Sequence, residues 1–243
     1  MSQPEFEDGK GGVREDAPRF YGRRRGKRLR VQAQGRLEEM LPRLTLPEPG
    51  PDERLDPPSL FPSPVREVWL EVGFGGGEHL AEQAARHPDV GIIGCEVFVN
   101  GIASLMKHLE AKDPTPDNVR VFPEDARLLM PALPDGALTR VFVLFPDPWP
   151  KKRHAERRFI NQDNLDQIAR LLRVGGELRV ASDDANYVDW TLEQLAKRPE
   201  FEWTAKALEE CRIRPDDWPP TRYEGKAVAV GRPCAFMRFR RKA

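Results

Sequence analysis

Short apolar runs alternate with stretches of helical spacing from about Val65 to the end of the chain. Buried strands are predicted at residues 68–70, 90–96, 118–122, 140–145 and 177–181, with two more near 201–205 and 234–239. Amphipathic spacing predicts helices at residues 78–86, 100–110, 156–172 and 187–196. Strands that alternate with helices form parallel sheets covered on both faces. We therefore expect an α/β fold with a doubly wound sheet, mostly parallel with an antiparallel edge strand.

The first 64 residues lack this alternation and divide by composition into three segments. Residues 1–18 are polar, which predicts disorder. Residues 19–41 contain a dense basic run next to Phe20 and Tyr21, which suits contact with RNA phosphates and bases, although a solubility tail is an alternative. Residues 42–64 are rich in proline, which predicts a stiff linker. The folded domain is then expected to span residues 65–243.

Charge and cysteine content restrict the function classes. The formal net charge is +0 at pH 7, so contact with a nucleic acid must come from local basic patches. The three cysteines form no C-x-x-C pair, and no segment resembles a signal peptide or a membrane span. We expect a cytoplasmic protein without membrane contact. The four histidines show no metal-ligand spacing, so no metal site is expected.

The first predicted strand runs into the loop Glu71-Val72-Gly73-Phe74-Gly75-Gly76-Gly77. A strand that ends in an acid and then glycines turns sharply and brings its backbone close to a ligand, unless it is only a tight turn. The dinucleotide fingerprint G-x-G-x-x-G would need glycine at position 78, which is Glu78, and a P-loop would need a lysine. The remaining pattern, E-x-G-x-G-x-G, resembles the first motif of Rossmann-like methyltransferases that bind S-adenosylmethionine.

Acids stand at or just past the ends of four successive strands: Glu71, Glu96, Asp125 and Asp147. In open α/β sheets, ligands bind outside the carboxyl ends of the strands. Asp125 has an alternative role as a helix N-cap, and Glu96 suits the ribose hydroxyls of either NAD or S-adenosylmethionine. S-adenosylmethionine carries a sulfonium and an ammonium but no phosphate, so concentrated negative charge favours it over NAD.

A second motif, F-P-D-P-W-P-K-K-R-H, begins at Phe145. Prolines on both sides of Asp147 restrict the backbone there, Trp149 offers a flat apolar face, and residues 151–153 are basic. Farther along, Asp183 follows the fifth strand, and Thr221-Arg222-Tyr223-Glu224 places a hydroxyl, a guanidinium, a ring and a carboxylate in one loop.

Taken in order, these motifs resemble those of the bacterial tRNA (guanine-N7)-methyltransferases. The resemblance covers about residues 65–239, through E-V-G-F-G-G-G, G-C-E-V, E-D-A, L-F-P-D-P-W-P-K-K-R-H, A-S-D and T-R-Y-E-G-K. Pro150 stands where the family often has histidine, and residues 1–64 lie outside the match. The resemblance implies the Rossmann-like fold of class I methyltransferases. It also implies methyl transfer from S-adenosylmethionine, leaving S-adenosylhomocysteine, to N7 of guanosine at position 46 in the variable loop of tRNA.

Carried over by position, the resemblance assigns the catalytic role to Asp147. It implies cofactor contacts from the glycine loop and the strand-end acids, namely Glu71, Gly73, Gly75, Gly77, Glu96, Asp125 and Asp147. It implies contacts with the RNA substrate from Lys151, Asp183, Thr221, Arg222, Tyr223 and Glu224. The expected partner is tRNA, with no obligatory protein partner, and the chain is expected to be a monomer or a homodimer.

The chemistry of guanine N7 needs no general base, because this nitrogen already carries a free lone pair. A carboxylate is the group that would recognise guanine, since it can accept from both N1–H and the 2-amino group. Glu224 is favoured for this role over Asp183, and Trp149 or Tyr223 is a candidate to stack on the base. The basic runs at residues 23–30 and 151–158 are expected to hold the tRNA backbone.

Three alternatives remain. They are a methyltransferase that acts on another RNA base or on a protein, a tRNA-binding protein without turnover, and a dehydrogenase, which Glu78 and the acidic strand ends disfavour.

Overall fold

Seven strands form a single sheet in the computed structural model, which describes residues 20–243. The disorder predicted for residues 1–18 lies outside the described residues. In chain order the strands are β1 Glu67–Val72, β2 Val90–Cys95, β3 Val119–Phe122, β4 Leu138–Leu144, β5 Leu172–Ser182, β6 Phe201–Trp203 and β7 Ala235–Arg241.

The strand order across the sheet is β3-β2-β1-β4-β5-β7-β6. Strands β1 to β5 pair in parallel, whereas β7 runs antiparallel to both β5 and β6. From β1 the chain builds β2 and β3 on one side and then returns to place β4 on the other. The direction of winding therefore reverses between β1 and β4, which is where open α/β sheets form a ligand crevice. The predicted fold class is confirmed.

Helices cover both faces of this sheet. They are α1 Val31–Leu44, α2 Glu78–Arg86, α3 Val99–Glu110, α4 Ala126–Leu129, α5 Gln162–Leu171, α6 Ala185–Ala196 and α7 Arg222–Ala229. Successive strand residues point to opposite faces, so Trp69 of β1 joins the apolar cluster under α2 and α3, and Leu70 joins the cluster under α5 and α6. No helix in residues 20–243 combines the length and the apolar character needed to cross a membrane.

Two helix boundaries differ from the prediction. The helix expected over residues 156–172 begins only at Gln162, because the Asn161 side chain accepts from the Asn164 N–H at 2.9 Å and caps α5. The preceding residues Lys152–Arg157 form a separate 3₁₀ turn. The helix also ends at Leu171, before the two glycines that were expected to stop it, and these glycines lie inside β5.

The segment before residue 65 lies against the domain. Leu37 and Leu41 of α1, a helix that was not predicted, are buried, and α1 packs beside α3. Leu46 and Phe61, from the proline-rich part, are also buried, and the Leu46 N–H donates to the Val121 carbonyl at 2.8 Å. The division of the chain into four segments stays a prediction, but residues 31–61 contribute apolar side chains to the core.

Helix α3 meets the loop after β1 at very short range. A Cβ atom built on Gly101 would lie 2.2 Å from the Gly75 carbonyl oxygen, so only glycine allows this approach of the two backbones. By contrast, a Cβ atom on Gly35 in α1 would have no neighbour within 4 Å.

These two glycines give a matched pair of substitutions. Gly101→Ala should lower the free energy of unfolding by about 1–3 kcal/mol, because the loop or the helix must move to admit the methyl group. Gly35→Ala should raise the same free energy by about 0.5–1 kcal/mol, since alanine restricts the unfolded chain and favours helix. Urea unfolding followed by circular dichroism measures both. Equal stability of Gly101→Ala and the wild type would contradict the packing described here.

Candidate active site

A cavity of about 680 Å³ opens at the carboxyl ends of the strands, at the point where the sheet reverses direction. Its volume falls in the range of roughly 300–1,000 Å³ that is usual for small-molecule sites. Five segments contribute most of its wall: the glycine loop, the end of β2, the start of α4, the loop after β4, and residues 20–23. Sequence segments that are far apart in the chain therefore meet in one place.

The glycine loop turns through left-handed backbone conformations. Gly73, Gly75 and Gly77 have φ angles of 65°, 58° and 80°, a region that side chains with a Cβ atom rarely adopt. Gly77 is also the N-cap of α2. The backbone at each of these three positions therefore requires glycine. Gly73 and Gly75 also line the cavity.

Glu96, just past the end of β2, holds this loop through its side-chain carboxylate. One carboxylate oxygen accepts from the Gly75 N–H at 2.7 Å, and the other accepts from the Phe98 N–H at 2.9 Å. The side chain is almost fully buried, and burial raises the pKa of the Glu96 carboxyl, a shift that these backbone donors oppose and the charge of Asp147 reinforces. Glu96 therefore connects the glycine loop, β2 and the start of α3.

Glu71, in β1, does not line the cavity. Its carboxylate is 2.7 Å from Nδ1 of His79, and both residues are 2% exposed. The Nε2 atom of His79 lies 3.3 Å from the Gln83 side-chain amide, which also donates to the Asp217 carbonyl. This chain of polar contacts attaches β1 to α2. A direct contact of Glu71 with a cofactor stays a prediction.

Asp125 has the capping role that was its alternative interpretation. Its carboxylate accepts from the Arg127 N–H at 2.9 Å at the start of α4, and it pairs with the Arg127 guanidinium at 2.6 Å. It also lines the cavity, so capping and ligand contact are compatible here. Its neighbour Glu124 pairs with Arg24 at 2.7 Å.

The loop that carries Asp147 is strained. Phe145 and Trp149 have φ angles of 50° and 42°, although both precede a proline, which favours extended backbone. Left-handed non-glycine residues cost about 1–3 kcal/mol each, so surrounding contacts must hold this loop in place. At its start, the Phe145 N–H donates to the Ala181 carbonyl of β5 at 2.8 Å. Asp147 itself is exposed at the cavity wall.

Asp147 and Glu96 differ from the other acids of the wall. Within residues 20–243, neither carboxylate forms an ion pair, whereas Asp125 and Glu124 are each paired with an arginine. The negative charge expected at this edge of the sheet is therefore concentrated in two carboxylates. Among the described residues, four arginines also line the cavity, so this wall is of mixed charge: Arg23, Arg127, Arg157 and Arg158.

An aromatic cluster borders the Asp147 loop. The Trp149 ring stands edge-on to Tyr21, with 6.2 Å between ring centres, and the Arg157 guanidinium lies 4.3 Å from the Tyr21 ring centre. Arg157 also lies 5.1 Å from the Trp149 ring centre. The sequence predicted Tyr21 as an RNA-stacking residue and did not indicate that it would meet Trp149.

Polar contacts hold the N-terminal segment in this position. The Asn100 side chain accepts from the Gly26 N–H at 2.8 Å and donates to the Lys27 carbonyl at 2.7 Å. The Val99 N–H donates to the Arg24 carbonyl at 2.9 Å. These contacts fix residues 24–27 on the N-terminal turn of α3, directly beside Glu96 and Phe98.

The T-R-Y-E segment begins helix α7 and is not the loop that was expected. The Thr221 hydroxyl accepts from the Glu224 N–H at 3.1 Å, which caps the helix. The pattern T-x-x-E is a capping signature, so the sequence contained this signal. Tyr223 is the member of the segment that lines the cavity, while Arg222 lies 3.8 Å from Glu78.

The remaining predicted substrate residues lie outside the cavity wall. Glu224 accepts from Arg214 at 3.0 Å, and Asp183 pairs with Arg232 at 3.0 Å. Lys151 is exposed at the start of the 3₁₀ turn. Among residues 20–243, no group of three or more His, Cys, Asp or Glu side chains is arranged to hold a metal ion.

Comparison with known proteins gives consistent results. A family model described as a putative methyltransferase matches residues 65–237. The tRNA (guanine-N(7)-)-methyltransferase of Paramagnetospirillum magneticum is 58% identical over 233 residues, which cover 96% of this chain and 97% of that protein. The protein of the same name from Rhodospirillum rubrum is 57% identical, with 94% of this chain and 89% of the relative covered.

Among solved structures, the 16S rRNA methyltransferase KamB aligns with a TM-score of 0.53 at 15% identity, covering 74% of this chain and 89% of that chain. At this identity the likeness shows the fold alone. The sequence relatives, in contrast, match nearly the whole chain, and the predicted family is confirmed: the chain belongs to the tRNA (guanine-N(7)-)-methyltransferases.

Proposed function

We propose that this protein transfers a methyl group from S-adenosylmethionine to N7 of guanosine in the variable loop of tRNA. The observation that carries the proposal is that Glu96 and Asp147, which form no ion pair within residues 20–243, share one cavity with the glycine loop. Relatives that match nearly the full chain are named for this activity, which gives the proposal its substrate.

The wall suits S-adenosylmethionine better than a dinucleotide. A pyrophosphate would need free backbone N–H groups at the start of α2. Here the Gly75 N–H already donates to Glu96, and Glu78, an acid, is the first residue of the helix. Both features oppose a phosphate and tolerate a cation.

Glu96, Gly73 and Gly75 would hold this cofactor, with Asp125 and Asp147 along the same wall. When bound, S-adenosylmethionine supplies an electrophilic methyl group on a positively charged sulfur. The Glu96 carboxylate has lone pairs beyond the two that accept backbone hydrogen bonds, so it is able to accept from ribose hydroxyls.

Asp147 acts by charge and position in this proposal. It has no proton to remove, because N7 of neutral guanosine carries a free lone pair. The purine becomes cationic as it is methylated, and a fixed carboxylate beside it stabilises that developing charge. The hydrogen bonds from Phe145 to β5 and from Arg158 to the loop hold the strained backbone around Asp147, which keeps the carboxylate in place before the substrate arrives.

Glu224 is proposed to recognise the guanine edge. Arg214 donates to one of its carboxylate oxygens and leaves the other without a hydrogen bond from residues 20–243. Its neighbour Tyr223 lines the cavity beside the glycine loop, and Glu224 itself lies on the same helix, outside the cavity wall. Asp183, whose carboxylate pairs with Arg232, is the second candidate.

The tRNA backbone is proposed to lie across the basic residues that flank the cavity. Residues 25–30, shortly after Tyr21 in the chain, and residues 151–153, shortly after Trp149, expose arginine and lysine side chains. Positively charged side chains that flank an aromatic pair suit an RNA strand whose base is turned out of its stack.

The proposed activity has a direct test. The protein is incubated with unmodified tRNA and labelled S-adenosylmethionine, and borohydride–aniline cleavage then locates N7-methylguanosine. We expect cleavage in the variable loop. Label in tRNA without cleavage would instead support a methyltransferase of another base, and tRNA binding without any label would support a binding protein.

Asp147→Ala should lower kcat by about 10²- to 10³-fold, the loss that follows removal of one preorganised electrostatic group. Asp147→Glu, which keeps the charge but moves it, tests whether position matters as well. Steady-state methyl transfer to tRNA measures both. Asp189→Ala, an exposed acid of α6, is the control and should keep full activity.

Glu224→Gln should lower kcat/KM by about 10- to 100-fold, which corresponds to about 1.5–3 kcal/mol for hydrogen bonds to a charged group. The side-chain amide of glutamine would also place an N–H donor opposite the N1–H and 2-amino donors of guanine. Glu209→Gln, an exposed acid away from the cavity, serves as the control. Unchanged turnover and unchanged preference for guanosine would exclude Glu224 from guanine recognition.

Replacing Arg25, Arg28 and Arg30 together with glutamine should weaken tRNA binding. The slope of log K against log salt should become shallower by about one for each phosphate that these arginines neutralise in the wild type. The affinity for S-adenosylmethionine should not change, because these side chains are exposed and do not line the cavity.

A control of equal charge replaces Arg173, Lys197 and Arg240, exposed residues toward the opposite edge of the sheet. If both triple variants change the salt slope equally, residues 25–30 have no specific part in binding.

A further inference from the structure

Arg158 differs from every other basic residue of the run at 151–158. It is 6% exposed, whereas Lys151, Lys152 and Arg153 are exposed to solvent. The 3₁₀ turn Lys152–Arg157 ends immediately before it and directs its side chain inward. Arg158 lines the cavity but, being almost fully buried, offers very little surface to a phosphate of tRNA.

The Arg158 guanidinium binds the backbone of the Asp147 loop. Its Nε donates to the Pro148 carbonyl at 2.9 Å, and its Nη2 donates to the Trp149 carbonyl at 3.2 Å. On its other side, the guanidinium carbon lies 4.9 Å from the ring centre of Trp190 in α6. The Trp190 ring is itself fixed, because its Nε1 donates to the Ile160 carbonyl at 2.5 Å.

The Asp147 loop needs such a contact because its own backbone has few hydrogen-bond donors and is strained. Three of its residues, Pro146, Pro148 and Pro150, have no backbone N–H to donate. Phe145 and Trp149 have left-handed backbone at its two ends. The Phe145 end is held by the hydrogen bond to β5, and the Trp149 end is held by Arg158.

We infer that Arg158 is a positioning residue of the methyl-transfer site. Through the Pro148 and Trp149 carbonyls it fixes the loop in the conformation that presents Asp147 to the cavity. This inference rests on the proposed role of Asp147. A lysine at this position would keep the charge but would lack the planar group that contacts both carbonyls and the Trp190 face.

Arg170 provides a matched control. Its guanidinium also donates to two backbone carbonyls, those of Leu133 at 2.7 Å and Met130 at 2.9 Å, but it lies away from the cavity. Arg158→Ala and Arg170→Ala should both lower the melting temperature. Only Arg158→Ala should lower kcat, by about 10- to 100-fold, as expected when a catalytic group is displaced. Its KM for S-adenosylmethionine should stay within about threefold of the wild type.

Hydrogen exchange gives a readout that does not depend on activity. The amide of Phe145, which donates to the Ala181 carbonyl at the start of the loop, should exchange faster in Arg158→Ala than in Arg170→Ala or the wild type. Arg158→Lys should behave like Arg158→Ala in this loop, because charge alone does not restore the two hydrogen bonds.

Faster loop exchange together with a fall in kcat specific to Arg158→Ala would support the inference. Loop exchange equal to that of Arg170→Ala, or an equal loss of kcat in both variants, would overturn it. If the wild type methylates no tRNA, the proposed function fails by itself, and the exchange experiment alone then decides whether Arg158 holds the loop.

Discussion

The two hydrogen bonds that the buried Glu96 carboxylate accepts set the geometry on which the rest of the site depends. They join the Gly75 and Phe98 amides, and so join the loop after β1 to the start of α3. The close approach of Gly101 to Gly75 needs the same alignment. In a phosphate-binding loop, a backbone amide at this place would donate to the ligand. Here the Gly75 amide donates to Glu96 instead, and the Glu96 carboxylate faces the cavity.

The second part of the site is the Asp147 loop, which is held in place by contacts with neighbouring segments. The Asp147 loop is strained, so β5, Arg158 and the aromatic contact with Tyr21 each restrict it. The segment that carries Tyr21 is in turn fixed on α3 by Asn100. Glu96 and the N-terminal segment thus share a support, because both form hydrogen bonds with the start of α3.

The sequence predicted the features that depend on local periodicity or on residue type. The strands, the doubly wound sheet and the acids at the strand ends follow from apolar runs separated by helical spacing. Contacts between distant segments could not be predicted in this way. Helix α1 contributes only Leu37 and Leu41 as buried side chains, and it is stabilised by packing on α3. Nothing in the basic run indicated that Arg158 is the residue that donates to the Asp147 loop. The T-x-x-E capping pattern at Thr221 is a local signal from which the start of α7 could have been predicted.

We propose that this site methylates a nitrogen that needs no deprotonation, with Asp147 acting as a fixed charge. Single-turnover methyl transfer to unmodified tRNA, measured against pH with both substrates saturating, tests it most directly. The wild-type rate should be nearly constant through neutrality, and the rate of Asp147→Asn should be uniformly lower. A wild-type rate that rises about tenfold per pH unit through neutrality, as one deprotonation would require, would contradict it.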